Sequence, residues 1–506
     1  SRDNLFWSFQ YVSLCLSFYS FHIYIQMVES QLLWCTILIV EVMSKIFVFG
    51  IGGTGSRILR SLAMMLASGV KFGANEIVPI IIDPDVANAD LTRTVSLLNN
   101  YTAIREKLQF SNDNRSRFFH TEIERILPNY TLRINDTDDK SFQQFIEYAS
   151  MSKPNKAMTK MLFSDKNLES SMEVGFKGNP NIGSVVLNQI AHSADFNDFA
   201  NSFSDGDRIF IISSIFGGTG ASGFPLLLKT LREGKHFPNY DLINKATIGA
   251  VTILPYFKLK PNDESEIDSS TFISKTKSAL AYYENNISKN GSIDALYYLA
   301  DDVVSTYDNH EGGSAQQNAA HLIEFLGATA IVDFSKSKFD TPANMELGIK
   351  ETSGAVSFDS FYRKMYEMLY YPLVQFTMTA NALTQKLDVY RSSGFNANKG
   401  NFENFYSGVF FSDLATFLKK YQEWLREMKD NKRSLDLFNL ACGNKPFDLV
   451  TGVKPKRIFS KFSDYNLMTD RLNSAVKNCK SKGVEDKFLE MFFLGTEKLV
   501  SEKLSN

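Results

Sequence analysis

The chain has 506 residues and is 44% hydrophobic, enough for about three domains and a large buried core. This composition excludes a disordered or fibrous protein. Its formal net charge is -2, from 54 Lys and Arg against 56 Asp and Glu, so no basic field attracts nucleic acid or an acidic membrane. The four cysteines form no CxxC pair, which argues against a disulfide scaffold or a Cys-based zinc site and favours a cytoplasmic location.

Residues 1–42 differ in character from the rest of the chain. Residues 4–28 carry no charged side chain, and a second apolar run covers residues 32–40. A run of about 25 uncharged residues could span a membrane, but Ser, Gln, Asn and His dilute it, and it has no basic flank or cleavage site. We predict that Met43 is the natural start and that residues 1–42 are translated upstream sequence. A signal anchor is the alternative, and only then is a membrane partner expected.

From Met43 onward, short apolar runs alternate with helical patterns, which predicts an α/β fold with a Rossmann-like parallel sheet. Strands are predicted at residues 44–49, 77–82, 208–213, 246–254 and 293–299, and helices at 54–68, 182–203, 219–233, 270–287 and 314–330. The polar segment 100–170 predicts an insertion of helices and loops. The domain that contains this sheet is predicted to cover residues 43–335.

The C-terminal part, residues 336–506, predicts a second, helix-rich domain. Residues 361–389 and 405–428 show helical periodicity with many aromatic side chains, which we expect to pack in the core. The last helix is amphipathic and could dock on its own body or on a neighbouring subunit. Other proteins would also bind through this helical region.

Three glycine-bearing loops carry the functional signal. They are residues 50–55 (GIGGTG), 175–183 (GFKGNPNIG) and 216–223 (FGGTGASG). Glycine permits positive φ and lets backbone N–H groups approach an anion at the start of a helix. Each loop alone could be a structural turn. Two glycine-rich strand-to-helix turns in one parallel sheet predict that a polyphosphate binds between them.

These loops resemble those of the tubulin and FtsZ superfamily, in particular the divergent bacterial tubulin-like proteins. The matching residues are Gly52, Gly53, Thr54 and Gly55 for the first nucleotide loop, Gly178 and Asn179 with Pro180, Ile182 and Gly183 for FtsZ's third loop, and Gly217, Gly218, Thr219 and Gly220 with Pro225 for the signature phosphate loop. Asp83 and Asp85 end the second strand, where the family's second loop lies near magnesium and phosphates. The resemblance covers residues 43–300 and then fades.

The resemblance implies a GTP or GDP ligand with Mg²⁺ held through the nucleotide phosphates and not by dedicated protein ligands. It also implies head-to-tail self-association into an oligomer or a filament. Guanine would be held by Asn318, with Gln317 beside it, at the head of the central helix 314–330. His321, one turn on, is expected to be an ordinary helix-face histidine.

The chain departs from the family pattern at two places. Phe216 and Ser222 replace glycines of the FtsZ signature, and no NxDxxD sequence follows the central helix. Asp333 and Asp340 are the acids in a comparable setting, and both are expected to be solvated surface carboxylates. The catalytic residue is therefore unassigned, and slow GTP hydrolysis is predicted.

Other functions use the same first loop. Residues 50–56 followed by Asp83, Asp85, Asn88 and Arg93 resemble the ATP-binding core of ThiF-like and ubiquitin-activating enzymes, which form adenylates. A nicotinamide or flavin dehydrogenase would place Asp83 on the ribose. Neither function gives residues 217–223 a role. A nucleotide-gated binding module that does not polymerise is a further alternative.

Overall fold

The computed structural model describes residues 44–85, 87–109, 117–135, 137, 139–172, 176, 179–260, 272–302, 306–307, 317–339, 348–350, 352, 354–385, 387, 402, 404–442, 445–456 and 463–504. Residues 1–42, Gly178 and Asp340 lie outside the described residues. The chain from Lys45 onward clusters as one unit. The domain boundary near residue 336 stays a prediction.

A six-stranded parallel sheet forms the centre of this unit. Its strands are β1 Lys45–Ile51, β2 Glu76–Ile82, β3 Glu122–Ile123, β4 Arg208–Ser214, β5 Thr247–Ile253 and β6 Ala295–Leu299. They are ordered β3-β2-β1-β4-β5-β6, and every neighbouring pair is parallel. This is the strand order of doubly wound dinucleotide-binding folds. The α/β fold predicted from the sequence is confirmed.

Helices cover both faces of the sheet and make up most of the C-terminal part. They are α1 Gly52–Ala67, α2 Ala89–Arg105, α3 Phe142–Phe145, α4 Lys153–Leu162, α5 Asp165–Glu169, α6 Pro180–Leu187, α7 Ala194–Ser202, α8 Gly218–Glu233, α9 Tyr240–Ile243, α10 Phe272–Tyr283, α11 Leu322–Lys336, α12 Arg363–Gln385, α13 Val409–Asp430, α14 Asp464–Val476 and α15 Val484–Lys503. Shorter helical turns are Pro128–Tyr130, Tyr148–Ser150, Ile190–His192, Glu284–Ser288, Phe358–Ser360 and Phe405–Ser407, and a two-residue parallel ladder joins Lys258–Leu259 to Thr306–Tyr307.

Successive side chains of β1 point to opposite faces of the sheet, and their contacts show which helices cover each face. Phe47 and Phe49 point to α7, where both pack edge-to-face on Phe199 with ring centroids 5.2 and 5.0 Å apart. Gly50 faces α1 on the other side. A Cβ atom built on Gly327 of α11 would lie 2.7 Å from Ile58 Cδ1 of α1, so α1 and α11 share that face.

Helix α11 crosses the sheet from its carboxyl edge to its amino edge. At its start, the ring of His321 lies 4.7 Å from that of Tyr256, which follows β5. At its end, Arg208, the first residue of β4, donates hydrogen bonds to the carbonyl oxygens of Phe334 and Ser337 at 3.3 and 2.9 Å. The same helix therefore links the two ends of the sheet.

The predicted bounds of two helices are wrong, in each case because a side chain caps a new helix. The central helix spans Leu322–Lys336 and not 314–330; residues 317–320 are non-helical, and His321 Nδ1 accepts the Ile323 N–H at 3.0 Å. The predicted helix 182–203 breaks after Leu187, and a second helix, α7, starts at Ser193, whose Oγ accepts the Phe196 N–H at 3.1 Å. Local capping bonds override the continuous apolar period.

The aromatic stripe of α13 lies in the core, as predicted. Phe417, Tyr421 and Trp424 are fully buried, and Phe410 and Phe411 are nearly so. The Trp424 ring stacks on Phe325 of α11, and its Nε1 donates to Ser61 Oγ of α1 at 3.1 Å. Among the helices of the described part of the chain, none combines the length and the apolar character needed to cross a membrane.

Glycines of the first loop have different structural constraints. A Cβ atom on Gly55 would lie 2.3 Å from the carbonyl carbon of Gly50, whereas on Gly53 its nearest neighbours would be 3.8 and 3.9 Å away. We expect Gly55→Ala to lower the free energy of unfolding by about 1–3 kcal/mol, because β1 and α1 must separate. Urea unfolding followed by circular dichroism measures it. Gly53→Ala is the control and should not destabilise the fold; equal stability of both variants would contradict the prediction.

Candidate functional site

The candidate site lies where the direction of chain crossover reverses. From β1 the chain passes through α1 to β2 on one side, and from β4 it passes through α8 to β5 on the other. Because β1 and β4 are parallel neighbours, the starts of α1 and α8 both lie at the carboxyl edge of the sheet. Doubly wound sheets bind ligands in the crevice at this switch point.

The glycine loops predicted separately from the sequence meet at this edge. Gly52 has φ +69°, and a Cβ atom built on it would lie 3.5 Å from Thr219 Cβ and 4.0 Å from the Gly220 nitrogen. On Gly183, at the end of the middle loop, a Cβ atom would lie 2.2 Å from Ser222 Oγ. The first loop therefore approaches the third, and Gly183, in the first turn of α6, packs against Ser222 of α8.

The donors at this point suit an anion. Helix α1 follows Ile51 and α8 follows Gly217, and in the described structure neither helix has a side-chain N-cap hydrogen bond or an acidic residue in its first turn. The first N–H groups of an α-helix have no partner within the helix, and they carry the positive end of its dipole. Two such ends on adjacent strands favour a phosphate group.

Phe216 and Ser222, which stand where the FtsZ signature has glycines, have structural roles. Ser222 Oγ donates to the carbonyl oxygens of Gly218 and Thr219 at 2.7 and 3.2 Å, which braces the first turn of α8. The Phe216 ring is buried against Phe257 and Phe272, at 5.6 and 5.0 Å. The loop thus keeps its shape through side chains where the signature has glycines.

Two buried carboxylates end β2 beside the first loop. Asp83 is 5% exposed, and its Oδ1 accepts the Asp85 N–H at 3.1 Å. Burial raises the pKa of Asp83 to about 7, and the negative charges of Asp85 and Asp90 add to this rise. The amide nitrogen of Asn88 lies 3.9 Å from the Cβ position of Gly53, so this strand end adjoins the first loop.

Asn318 lies near the first loop, but not at the head of a helix as predicted. Its backbone N–H and Nδ2 donate to the carboxylate of Asp90 at 3.1 and 2.8 Å. Asp90 also pairs with Arg57 Nη1 at 3.3 Å, and that atom lies 3.8 Å from the Cβ position of Gly53. Asn318 is therefore linked to the first glycine loop through Asp90 and then Arg57. Gln317 is exposed.

Sequence reasoning missed the buried charges that hold Asn318 in place. Arg57 Nε donates to Glu324 Oε1 at 2.6 Å, and both side chains are almost fully buried. Burial lowers the pKa of Arg57, but the charges of Glu324 and Asp90 outweigh that effect and raise it. The sequence held one signal for these buried charges: Arg57 directly precedes Ile58 and Leu59, so a charged side chain stands beside an apolar helical stripe.

His321 caps α11 and does not lie on its face. It is buried, its ring packs on Tyr256, and burial lowers its pKa to about 4, so the imidazole is neutral at pH 7. Its Nδ1 accepts a backbone N–H. These features give it a structural role at the start of the helix.

Asp333 is not the solvated surface carboxylate that was predicted. It is 2% exposed in the last turns of α11, where it pairs with Lys364 Nζ at 2.6 Å and accepts a hydrogen bond from the Tyr297 hydroxyl at 3.0 Å. Asp333 was predicted to follow the helix, but α11 continues to Lys336, so Asp333 lies on the helix and is buried. Asp333 lies toward the amino edge, away from the glycine loops of its own chain.

Arg93 and Asn88, which would bind ATP in an adenylating enzyme, make hydrogen bonds and ion pairs with other residues of the chain. Arg93 pairs with Glu427 and donates to the Asn318 carbonyl oxygen at 3.2 Å. Asn88 caps α2, accepting the Asp90 N–H at 2.8 Å. Within the described residues, no group of three or more His, Cys, Asp or Glu side chains could hold a metal ion.

Comparison with known proteins shows a likeness to solved structures over part of the chain. No family model and no curated protein matches the sequence. Among solved structures, CetZ from Methanosaeta thermophila strain DSM 6194 is similar with a TM-score of 0.24 and 16% identity, over 51% of this chain and 46% of CetZ. The chain thus covers about half of that protein, and a TM-score of this size does not establish a shared family.

The raised pKa of Asp83 makes stability depend on pH. A carboxyl whose folded pKa is above its unfolded value stabilises the fold below pH 4, and this contribution is lost as pH rises through about 7. Asp83→Asn keeps the acceptor but removes the charge. We expect it to raise the free energy of unfolding at pH 8 by up to about 4 kcal/mol, with the gain vanishing toward pH 4.

Urea unfolding without nucleotide at pH 4, 6 and 8 measures this dependence. The control is Asp205→Asn at an exposed position, which should change little at any pH. If Asp83→Asn destabilises the protein at pH 8, the buried carboxyl is stabilised in its charged form and the prediction is wrong.

Proposed function

We propose that the chain binds a guanine nucleotide with Mg²⁺ at the carboxyl edge of its sheet. The contact of Gly52 with Thr219 is the observation that carries the proposal, because it brings two glycine-rich helix starts together at the switch point. The preference for guanine rests on the resemblance of these loops to tubulin and FtsZ.

The residues present fit such a ligand. Backbone N–H groups of residues 52–55 and 217–220 would hold the phosphates, and Asn179, directly before α6, would approach them. Asp83 and Asp85 would bind water around Mg²⁺, which keeps several waters and is held mainly by the phosphates. Asn318 would lie on the base side.

We further propose nucleotide-dependent head-to-tail self-association with slow hydrolysis. Helix α11 connects the carboxyl edge, which carries the glycine loops, to the amino edge, which would meet the next subunit. At that amino edge Asp333 is held by Lys364 and Tyr297, so it is poorly placed to activate water. A heterologous contact of this kind gives an open filament when its rotation does not close.

Equilibrium binding of labelled GTP, ATP and NAD tests the ligand. We expect GTP to bind most tightly, and Gly53→Val to weaken it about 100-fold, because a side chain there keeps phosphate from at least two N–H groups. Gly354→Val is the control, since a Cβ atom at this exposed glycine meets only Thr352 Oγ1 at 4.0 Å. Tightest binding of ATP would favour the adenylating alternative, and binding of none would refute the proposal.

Light scattering and negative-stain images with GTP, GDP and a non-hydrolysable analogue test assembly. We expect oligomers or filaments with GTP and with the analogue, and phosphate release much slower than that of FtsZ, because Asp333 is held by Lys364 and Tyr297. A monomer in all three conditions would instead indicate a nucleotide-gated binding module. Release as fast as that of FtsZ would contradict slow hydrolysis.

A further inference from the structure

The segment Gln317–Ala320, just before α11, is held by side chains of two different helices. From α2, Asp90 accepts the backbone N–H and Nδ2 of Asn318, and Arg93 Nη1 donates to the Asn318 carbonyl oxygen at 3.2 Å. From the helical region, Glu427 Oε2 of α13 accepts the Ala320 N–H at 2.9 Å. Because the segment is non-helical, these side chains replace the backbone bonds that a helix would supply.

Glu427 is the centre of the contacts from the helical region. Its carboxylate pairs with Arg60 Nη2 of α1 at 3.0 Å and with Arg93 Nη2 of α2, as well as with the Ala320 N–H. The side chain is 16% exposed, so these ion pairs are largely shielded from water. A shielded carboxylate with charged partners is costly to move. One residue of the helical region thus fixes α1, α2 and the segment together.

Glu427 is also linked to the candidate site through Arg93. Arg93 contacts both Glu427 and Asn318, and Asn318 is joined through Asp90 to Arg57, which lies 3.8 Å from the Cβ position of Gly53. On this path every link is a hydrogen bond or ion pair between buried or half-buried groups, apart from the last contact. A shift of Glu427 would therefore move the base side of the site before it moved the phosphate loops.

We propose that Glu427 is a positioning residue for the nucleotide base. It does not contact the ligand; it holds residues 317–320 in the place from which Asn318 reads the base. This inference rests on the proposed nucleotide binding and extends it, because it makes base selectivity depend on a side chain of the helical region. The phosphate loops approach each other at Gly52 and Thr219, so we expect them to depend less on Glu427 than Asn318 does.

The test compares GTP and ATP binding to the full chain carrying Glu427→Gln. The glutamine has nearly the same shape, but its amide donor faces the Arg60, Arg93 or Ala320 N–H donors. We expect the GTP-to-ATP affinity ratio to fall about tenfold, the value of roughly one hydrogen bond to a charged group. General loosening of the site would instead weaken both nucleotides equally.

Two further variants keep the result decisive. Glu423→Gln, at an exposed position on the same helix, should leave the ratio unchanged. Asn431→Ala removes the donor to the Ala320 carbonyl oxygen at 3.1 Å without changing charge, and it should lower the ratio even if Glu427→Gln does not fold. The inference is overturned if the GTP-to-ATP affinity ratio is unchanged in Glu427→Gln and Asn431→Ala, as far as these variants fold, or if wild type shows no base preference. Absence of nucleotide binding by wild type instead refutes the proposed function.

Discussion

The structure depends on a balanced group of charges buried between α1, α2, α11 and α13. Arg57, Arg60 and Arg93 face the carboxylates of Asp90, Glu324 and Glu427. A single buried charge costs several kcal/mol unless it is paired, so removing one member leaves its partner exposed to the full desolvation penalty. The group therefore acts as a unit and fixes the geometry of all four helices.

Helix α1 connects this charge group to the candidate site. Its first residues form the glycine loop, its next turn carries Arg57 and Arg60, and its Ser61 accepts the Trp424 indole N–H. The same helix thus begins at the candidate site and contacts the helical region along its length. A helix is stiff over this distance, so the packing of α13 on α1 contributes to the position of the loop, together with the approach of Gly52 to Thr219.

Local features of the fold could be predicted from the sequence, whereas distant pairings could not. Five of the six strands of the sheet were predicted within two residues of their bounds because apolar runs and flanking glycines are local signals. Strand β3, Glu122–Ile123, was missed because two residues carry no such pattern. The start of α11 was missed because His321 and contacts from α2 and α13 override the local pattern. Arg57 and Glu324 are 267 residues apart, and no pattern within either helix indicates the other partner.

The glycine motifs illustrate why a sequence signature mixes structure with function. Gly55 and Gly220 have no room for a side chain: their Cβ atoms would lie 2.3 Å from the Gly50 carbonyl carbon and 2.7 Å from the Ser214 carbonyl oxygen. Gly53 has room, with its nearest neighbour at 3.8 Å. The fold alone therefore requires glycine at the first two positions, while at Gly53 only a ligand would. Replacement of Gly53 is consequently the change that separates ligand binding from folding.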